Sequence, residues 1–524
     1  MPSRLSSWLT PAAWVAAVSA ALLLVFPVGF PNYDTIYALV WGRELAHGVS
    51  PDYGAALPPT PHPLADLLGL LTTPIGDGAI TVTMVVAYAS LGLIGYLVYR
   101  LGSLWFDRWI GAVAAAIVLT RAPFLSNGLR AYIDLPFIAL CLGALTLETR
   151  KSRAGWPVLA LLVPAGLLRP EAWLFAGVYW LYLTFAVVRS ERSLHTREVS
   201  STPMGLKHSY MEGFRPIGEL FGWELGWRGE RGGRELAGLA TLGLAGPILW
   251  VLFDGITTGN FLYSLTGTQE TVETLKRQTG PVDLVLYGPR RLGEILQWPG
   301  MVGAFGGLVL GFAFLRRRSA LGIAAAILAL GAFALLACAG LAIIARYTML
   351  AGAVLAIFVA LALLGWRLLE PGHPWRRRWQ LFASLVLLMF LAWLPNQWNL
   401  DSQVHTDLTN QGAIERDLTD LVDAGAFQPL CGPVAVPNHR AIPRLAFGLE
   451  VKPTEIVSAT ELSRSQEEAM KHGHFRGYFV DPASPFVIHN FILDPNDPTR
   501  FSLGVPRGFH FVTRNESWKV YRHC

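Results

Sequence analysis

Residues 320–366 read ALGIAAAILALGAFALLACAGLAIIARYTMLAGAVLAIFVALALLGW, two uncharged runs joined by a single Arg346. About 20 consecutive apolar residues cross a bilayer as a helix, which satisfies its backbone polar groups internally where no water can. The run 320–345 exceeds that length and 347–366 reaches it. Both read as membrane spans, with Arg346 at the boundary between them.

The rest of the chain repeats the pattern. Of 524 residues, 52% are hydrophobic and 15% charged, and the mean hydropathy is +0.41, which excludes a single soluble core. Apolar runs place spans near 8–30, 79–99, 109–121, 131–147, 156–168, 172–188, 236–253, 300–315, 319–344, 347–366 and 379–396. The fold class is therefore a polytopic α-helical membrane protein with about eleven transmembrane helices. Two runs, 109–121 and 156–168, are short for a crossing, so each is either extended by flanking residues such as Ala122 to Leu125 or paired as a bent helix. The run around Trp14 to Phe30 has no small-residue cleavage site after it and reads as an uncleaved first helix.

Net charge is +5, from 42 Lys and Arg against 37 Asp and Glu, and the cations fall in clusters between apolar runs. That distribution sets topology and argues against a nucleic-acid partner. With the N-terminus cytoplasmic, the inside segments carry Arg100 and Arg108, then Arg150, Lys151 and Arg153, then 189–235, then Arg316 to Arg318, then Arg376 to Arg378. An odd span count then leaves the C-terminus outside. The cytoplasmic segment 189–235 reads as a basic hairpin touching anionic headgroups through Trp223 and Trp227.

Two long outer loops remain, 31–78 and 254–299, and both read as ordered helices lying on the membrane. Beyond 397 no further apolar run occurs, and 397–524 reads as a small α/β domain: a helix over 412–424, strands at GPVAVPN and YFVDP, and a hairpin of FHFVT and WKVYR. The division is thus 1–396 and 397–524. Cys141 and Cys338 sit in apolar runs as small hydrophobes, whereas Cys431 and Cys524 lie in the tail, where an oxidising exterior would allow them to bridge. The tail reads first as a domain covering the membrane part, and its Trp518, Tyr521, His439 and Arg440 are candidates for sugar contact.

Ionisable residues collect at the outer ends of the spans. Asp34 lies in PNYDTIY among aromatic and apolar residues, where a carboxylate costs on the order of 2–3 kcal/mol and tends to face an internal cavity; a helix cap is the alternative. Arg43, Glu44 and His47 follow at helical spacing and read as a solvated helix face. His62 lies in a proline-stiffened PPTPHPLADLL, Arg130 and Asp134 in GLRAYIDLPF, Arg169 and Glu171 in a tight GLLRPEAWLF turn, and Arg346 and Tyr347 in LAIIARYTML. Snorkelling and hairpin ion pairing account for each taken singly. Together, carboxylates and cations on one face suit a reaction in which a hydroxyl is deprotonated while a phosphate leaves.

An Asp just after span one, a His-Pro-Leu segment closing the first loop, an Asp at the outer start of span four, an Arg-Tyr pair at an outer helix start and a C-terminal domain outside resemble the GT-C superfamily of integral-membrane glycosyltransferases. The nearest likeness is to bacterial enzymes that use polyprenyl-phosphate sugars: mannosyl-, arabinosyl- and aminoarabinose-transferases. The resemblance covers about residues 8–400 and implies Asp34 as general base, with His62, Asp134, Arg346 and Tyr347 at the family's other positions. Two departures stand out. Thr35 follows Asp34 where many members carry a second acid, and Ala131, Tyr132 and Ile133 precede Asp134 where some carry an Asp-x-Asp metal pair. A divalent metal is therefore possible but unsupported by that pair.

The expected function is transfer of a sugar from a polyprenyl-phosphate donor to a hydroxyl of a cell-envelope glycan or lipid at the outer face of a bacterial plasma membrane. A phosphate-linked sugar already has a good leaving group, so one carboxylate base and one or two cations suffice. Asp34 is the expected base, Arg346 and Arg169 phosphate contacts, His62 an acceptor or phosphate contact, and Asp134 a sugar-hydroxyl or supporting group, with Arg130 and Glu171 beside them. Two other readings use the same residues: a transporter or flippase for a lipid-linked or anionic substrate, and a non-catalytic anchor for residues 397–524. Long asymmetric outer loops and nearly charge-free span centres speak against the transporter.

Overall fold

The computed structural model describes residues 4–199, 233–459, 462, 464–491 and 504–524. The basic hairpin expected around Trp223 and Trp227 lies outside the described residues. In chain order the helices are α1 (Arg4–Val25), α2 (Tyr33–Ala46), α3 (Pro63–Thr72), α4 (Gly78–Trp105), α5 (Arg108–Leu119), α6 (Ala122–Leu129), α7 (Asp134–Arg150), α8 (Trp156–Leu168) and α9 (Glu171–Val199). They continue with α10 (Gly233–Thr258), α11 (Tyr263–Thr274), α12 (Gly280–Phe314), α13 (Arg316–Cys338), α14 (Met349–Leu364) and α15 (Pro374–Asp423). The tail adds α16 (Ile442–Leu449), α17 (Arg464–Lys471) and α18 (Pro485–Phe491).

Among the described residues, 6 helices are long and apolar enough to cross a membrane, or 7 if α5 and α6 count as one span bent by 60°. The chain is a multi-pass helical membrane protein. Shorter apolar helices at Pro11–Val25, Pro63–Ile75 and Trp156–Leu168 accompany them. The α5–α6 bend gives a physical answer for the short 109–121 run: Pro123 disfavours continued helix before it, so the chain breaks at Thr120 and Arg121 and restarts.

The run 347–366 is apolar all round because α14 is the central helix. Thirteen of its residues from Met349 to Ala362 are buried, packed by α5, α12, α13 and α15. Arg346 sits just before it in a single 3-10 turn, Ala345–Thr348, at the mouth of the bundle.

The polar change at 397 is not a break in the backbone. α15 runs 50 residues from Pro374 to Asp423, so the expected helix over 412–424 is the far end of the last apolar helix. Its Leu408, Gln411, Ile414, Leu418 and Leu421 recur at spacings of three and four and are buried, the last three in the core of the tail, Leu408 in the core of the membrane part and Gln411 on Arg130. There a five-stranded sheet has the order β2-β1-β3-β5-β4, from β1 (Val434–Val436), β2 (Ile456–Ser458), β3 (Gly477–Pro482), β4 (His510–Arg514) and β5 (Trp518–His523). β1 is parallel to β2 and β3, while β5 runs antiparallel to β3 and β4. Cys431 and Cys524 form a disulfide with Cα atoms 5.9 Å apart, closing the end of β5 onto the segment before β1.

α2 joins the two parts. One side meets α3 with backbones in contact: a β-carbon at Gly42 would overlap Gly69 and Leu70, and one at Gly69 would overlap Ala38. Its other side supplies Tyr37, Val40 and Trp41 to the hydrophobic core that also holds Ile414, Leu418, Val434, Leu445 and Trp518 of the tail. The solvated-face reading of residues 43–47 is corrected here. Arg43 donates from Nη1 to Phe447 O at 2.9 Å and from Nη2 to Ala446 O at 2.9 Å, tying α2 to the last turn of α16. Glu44 is buried and accepts from Asp52 N at 2.7 Å, while the Asp52 carboxylate accepts from Thr454 N at 2.9 Å. Only His47 of the three is exposed.

Candidate active site

Asn32 caps α2, its side-chain oxygen accepting from Asp34 N at 2.8 Å and Thr35 N at 3.3 Å. The cap is in turn held to the 130–131 turn, since Asn32 Nδ2 donates to Arg130 O at 2.9 Å and Thr35 Oγ1 to Ala131 O at 2.8 Å. Because Asn32 does the capping, Asp34 is free to project from the first turn, where the helix dipole favours a carboxylate. Its Oδ2 accepts from Arg346 Nη1 at 3.2 Å, with the two side chains 24% and 26% exposed. Both groups are thus reachable from outside.

Arg346 lies over the Tyr132 ring at 5.3 Å and the Tyr347 ring at 5.6 Å. Tyr347 carries a second guanidinium, that of Arg169, at 4.1 Å. Arg169 is buried and donates from Nε and Nη2 to Glu171 Oε1 at 3.0 and 2.6 Å and from Nη1 to Asp134. Each of the three Arg169 nitrogens thus meets a carboxylate oxygen. Arg346 is the guanidinium on the open side, and its Nε is buried without a hydrogen-bond partner.

His62 precedes Pro63 and takes the extended backbone that X-Pro requires. Its ring stands edge-on to Trp250 at 5.6 Å, and Nδ1 is buried with no partner. Burial, then the charges of Arg169 and Arg346, push its pKa down to about 3, so the imidazole is neutral near pH 7. One turn along α3, Asp66 is fully buried and neither carboxyl oxygen has a hydrogen-bond partner. Burial, then the neighbouring Asp254, raise its pKa well above the usual carboxylate value.

Arg130 does not join this group. Its Nε donates to Gln411 Oε1 on α15 at 2.9 Å, Nη1 reaches Ser126, and the guanidinium lies over Phe30 at 5.9 Å. The structure therefore brings together Asp34, Arg346, Tyr347, Arg169, Asp134 and Glu171, sets His62 beside them, and turns Arg130 toward the tail. Tyr132, Asn32 and Asp66 escape sequence reasoning: an uncharged aromatic and a cap carry no chemical signal, and Asp66 reads as an ordinary first-turn acid behind Pro63.

An apolar cavity of about 260 Å3 adjoins the cluster. Its lining includes Thr35, next to Asp34, Tyr132, whose ring meets Arg346, and Leu168, next to Arg169, together with Leu67, Leu71 and Val86, three exposed side chains of α3 and α4. Among the described residues no three His, Cys, Asp or Glu side chains are grouped to hold a metal ion, so no ligand set for a divalent cation is assigned.

No protein-family model and no curated protein matches the sequence. The chain is similar in backbone course to ArnT from Cupriavidus metallidurans bound to undecaprenyl phosphate, at 14% identity and a TM-score of 0.49 over 99% of this chain and 98% of that one. It is also similar to the oligosaccharyltransferase of Archaeoglobus fulgidus in its apo form, at 11% identity and a TM-score of 0.47 over 90% of this chain and 69% of that one.

Proposed function

We propose that the chain is an integral-membrane glycosyltransferase that moves a sugar from a polyprenyl-phosphate donor to a hydroxyl of a cell-envelope glycan or lipid. The observation that carries this reading is the Asp34–Arg346 pair, reachable from outside, next to an apolar cavity whose lining includes Thr35 and Tyr132 as well as the exposed Leu67 and Leu71. An amphiphile with an anionic head fits both ends of that arrangement.

The prenyl chain lies in the cavity and the phosphate meets Arg346. The acceptor hydroxyl attacks the anomeric carbon and gives its proton to Asp34, while the bond from that carbon to the phosphate oxygen breaks and its electron pair leaves with the phosphate. Arg346 neutralises the charge that develops there, and no general acid is needed. One displacement inverts the anomeric centre. Asp134 and Glu171 hold Arg169, which fixes Tyr347 and through it the ring face against which Arg346 rests. His62, neutral, offers a hydrogen bond and not a charge.

The test is transfer by the purified full chain from polyprenyl-phosphate sugars of several head groups to an extracted envelope fraction. Labelled product that depends on the polyprenyl chain supports the reading. Transbilayer movement of the donor without product would replace it with the flippase reading.

A further inference from the structure

A carboxyl with nothing to bond to lies in the first turns of α3. Asp66 is fully buried, and neither of its oxygens has a hydrogen-bond partner among the described residues. His62, one turn before it, is half-buried, and its Nδ1 is likewise buried without a partner. The backbone fixes the two together, Asp66 N donating to His62 O at 3.0 Å. A buried polar atom is desolvated at a cost that only a hydrogen bond returns. Three such atoms within one turn of helix, Nδ1, Oδ1 and Oδ2, call for a partner that the chain does not itself supply.

The wall behind them is rigid. Trp250 of α10 stands edge-on to the His62 ring at 5.6 Å and to the Trp173 ring at 5.7 Å. Its Nε1 donates to Ser264 Oγ at 3.0 Å, and the Asp254 carboxylate accepts from Ser264 Oγ at 2.8 Å and from Ser264 N at 2.9 Å. α11, which carries Ser264, also reaches the segment before His62, where the Thr268 and Thr60 hydroxyls share a hydrogen bond. Trp250, Ser264 and Asp254 thus satisfy one another, while His62 and Asp66 stay open.

α3 also borders the cavity assigned to the prenyl chain. Leu64 and Ala65, between His62 and Asp66 in the chain, line that cavity together with Tyr132, whose ring meets Arg346, and Leu168, next to Arg169. A sugar joined to a phosphate at Arg346 therefore has the first turn of α3 beside it. A carboxyl with neither a cation nor a hydrogen bond is favoured in its uncharged form, and burial, then the Asp254 charge, move the Asp66 pKa upward. That form donates one hydrogen bond and accepts others, and a neutral imidazole offers one nitrogen of each kind. Sugar hydroxyls, which both donate and accept, match this set.

We infer that His62 and Asp66 form the subsite that reads hydroxyls of the transferred sugar, with Trp250 positioning the imidazole, and that this sugar is an uncharged hexose or pentose. The inference rests on the proposed transfer reaction and concerns the part of the donor that Asp34 and Arg346 do not read.

The experiment measures binding to the full chain in neutral detergent. The probes are polyprenyl-phosphate glucose, mannose and arabinose, each compared with polyprenyl methyl phosphate, a diester of the same charge without a sugar. Wild type is expected to bind at least one sugar diester about tenfold more tightly than the methyl diester. Asp66→Ala and His62→Phe, which keeps a ring against Trp250, are each expected to bring that ratio close to one, with methyl-diester affinity within a few-fold of wild type. Asp66→Asn, which still donates and accepts, is expected to keep most of the preference. Methyl-diester binding also reports whether each variant is folded, which a purely structural role of either residue would disturb. A ratio unchanged in both Asp66→Ala and His62→Phe, or no preference for any sugar in wild type while the methyl diester binds, would overturn the inference and leave the donor reading standing. Failure of wild type to bind either kind of diester would instead remove the donor reading, and the sugar subsite with it.

Discussion

Arg346 donates to Asp34 at 3.2 Å across 312 residues of sequence. The pair ties the first turn of α2 to the turn before the central helix α14, and it gives each partner a second state. In the proposed reaction a phosphate takes the guanidinium, and the carboxylate is released to accept a proton. A charge-assisted hydrogen bond of this kind contributes about 1.5–3 kcal/mol, so Arg346→Gln is expected to weaken polyprenyl-phosphate binding by roughly 10- to 100-fold. Arg346→Lys keeps the charge but loses the planar contact with Tyr132 and should fall between the two. Direct binding of labelled polyprenyl phosphate checks the order.

His62 and Asp66 lie one turn apart and respond to pH with opposite sign. The pKa of His62 falls to about 3 in the folded chain against roughly 6.5 unfolded. Its contribution is therefore fully present above about pH 6.5 and is lost as pH falls toward the folded value. Asp66 is raised by burial and by Asp254, so its contribution is present below about pH 4 and is lost as pH rises through its folded pKa. Unfolding temperatures at pH 5, 7 and 8.5 are expected to show His62→Gln flattening the acid side and Asp66→Asn the alkaline side. Unchanged pH profiles in both variants would contradict the burial argument.

Arg43 secures the tail against α2. Arg43→Met removes its hydrogen bonds to Ala446 O and Phe447 O, a loss of about 1–3 kcal/mol. The expected signature is a lower unfolding temperature together with reduced turnover, since the same helix carries Asp34. Retained turnover at a temperature where the variant is folded would show that the tail does not position the base.

Gly69 allows α3 to rest on α2. A methyl group there overlaps the Ala38 backbone, so Gly69→Ala must separate the helices that carry His62 and Asp34. Overpacking costs about 1–3 kcal/mol. Gly293, where an added β-carbon meets nothing within 4 Å, is the control: Gly293→Ala should be neutral or slightly stabilising. Unfolding temperatures of the two variants side by side check the contrast.

Much of this was legible from the residue order. The apolar run after Arg346 marks α14, and the ionisable residues at span ends fall into one cluster apart from Arg130. What the order of residues could not convey is direction. Arg130 and Arg169 are alike as Arg at a span end, yet one meets Gln411 and the other Asp134 and Glu171. Arg43 and Glu44 have the spacing of a solvated face, and only the tail packed on α2 makes them connectors, Arg43 half-buried and Glu44 buried. The continuity of α15 through 397 was equally hidden, because a composition change marks where the environment of a helix changes and not where the helix ends.

The central claim is that Asp34 takes the acceptor proton. Asp34→Asn preserves size and the hydrogen bond from Arg346 while abolishing basicity. Single-turnover transfer from a labelled polyprenyl-phosphate sugar, with donor binding measured on the same preparation, is the most direct test. Donor affinity is expected to stay within a few-fold of wild type while transfer slows by about 10²- to 10⁴-fold. Transfer at the wild-type rate with the donor bound would contradict the claim and remove Asp34 from the chemistry.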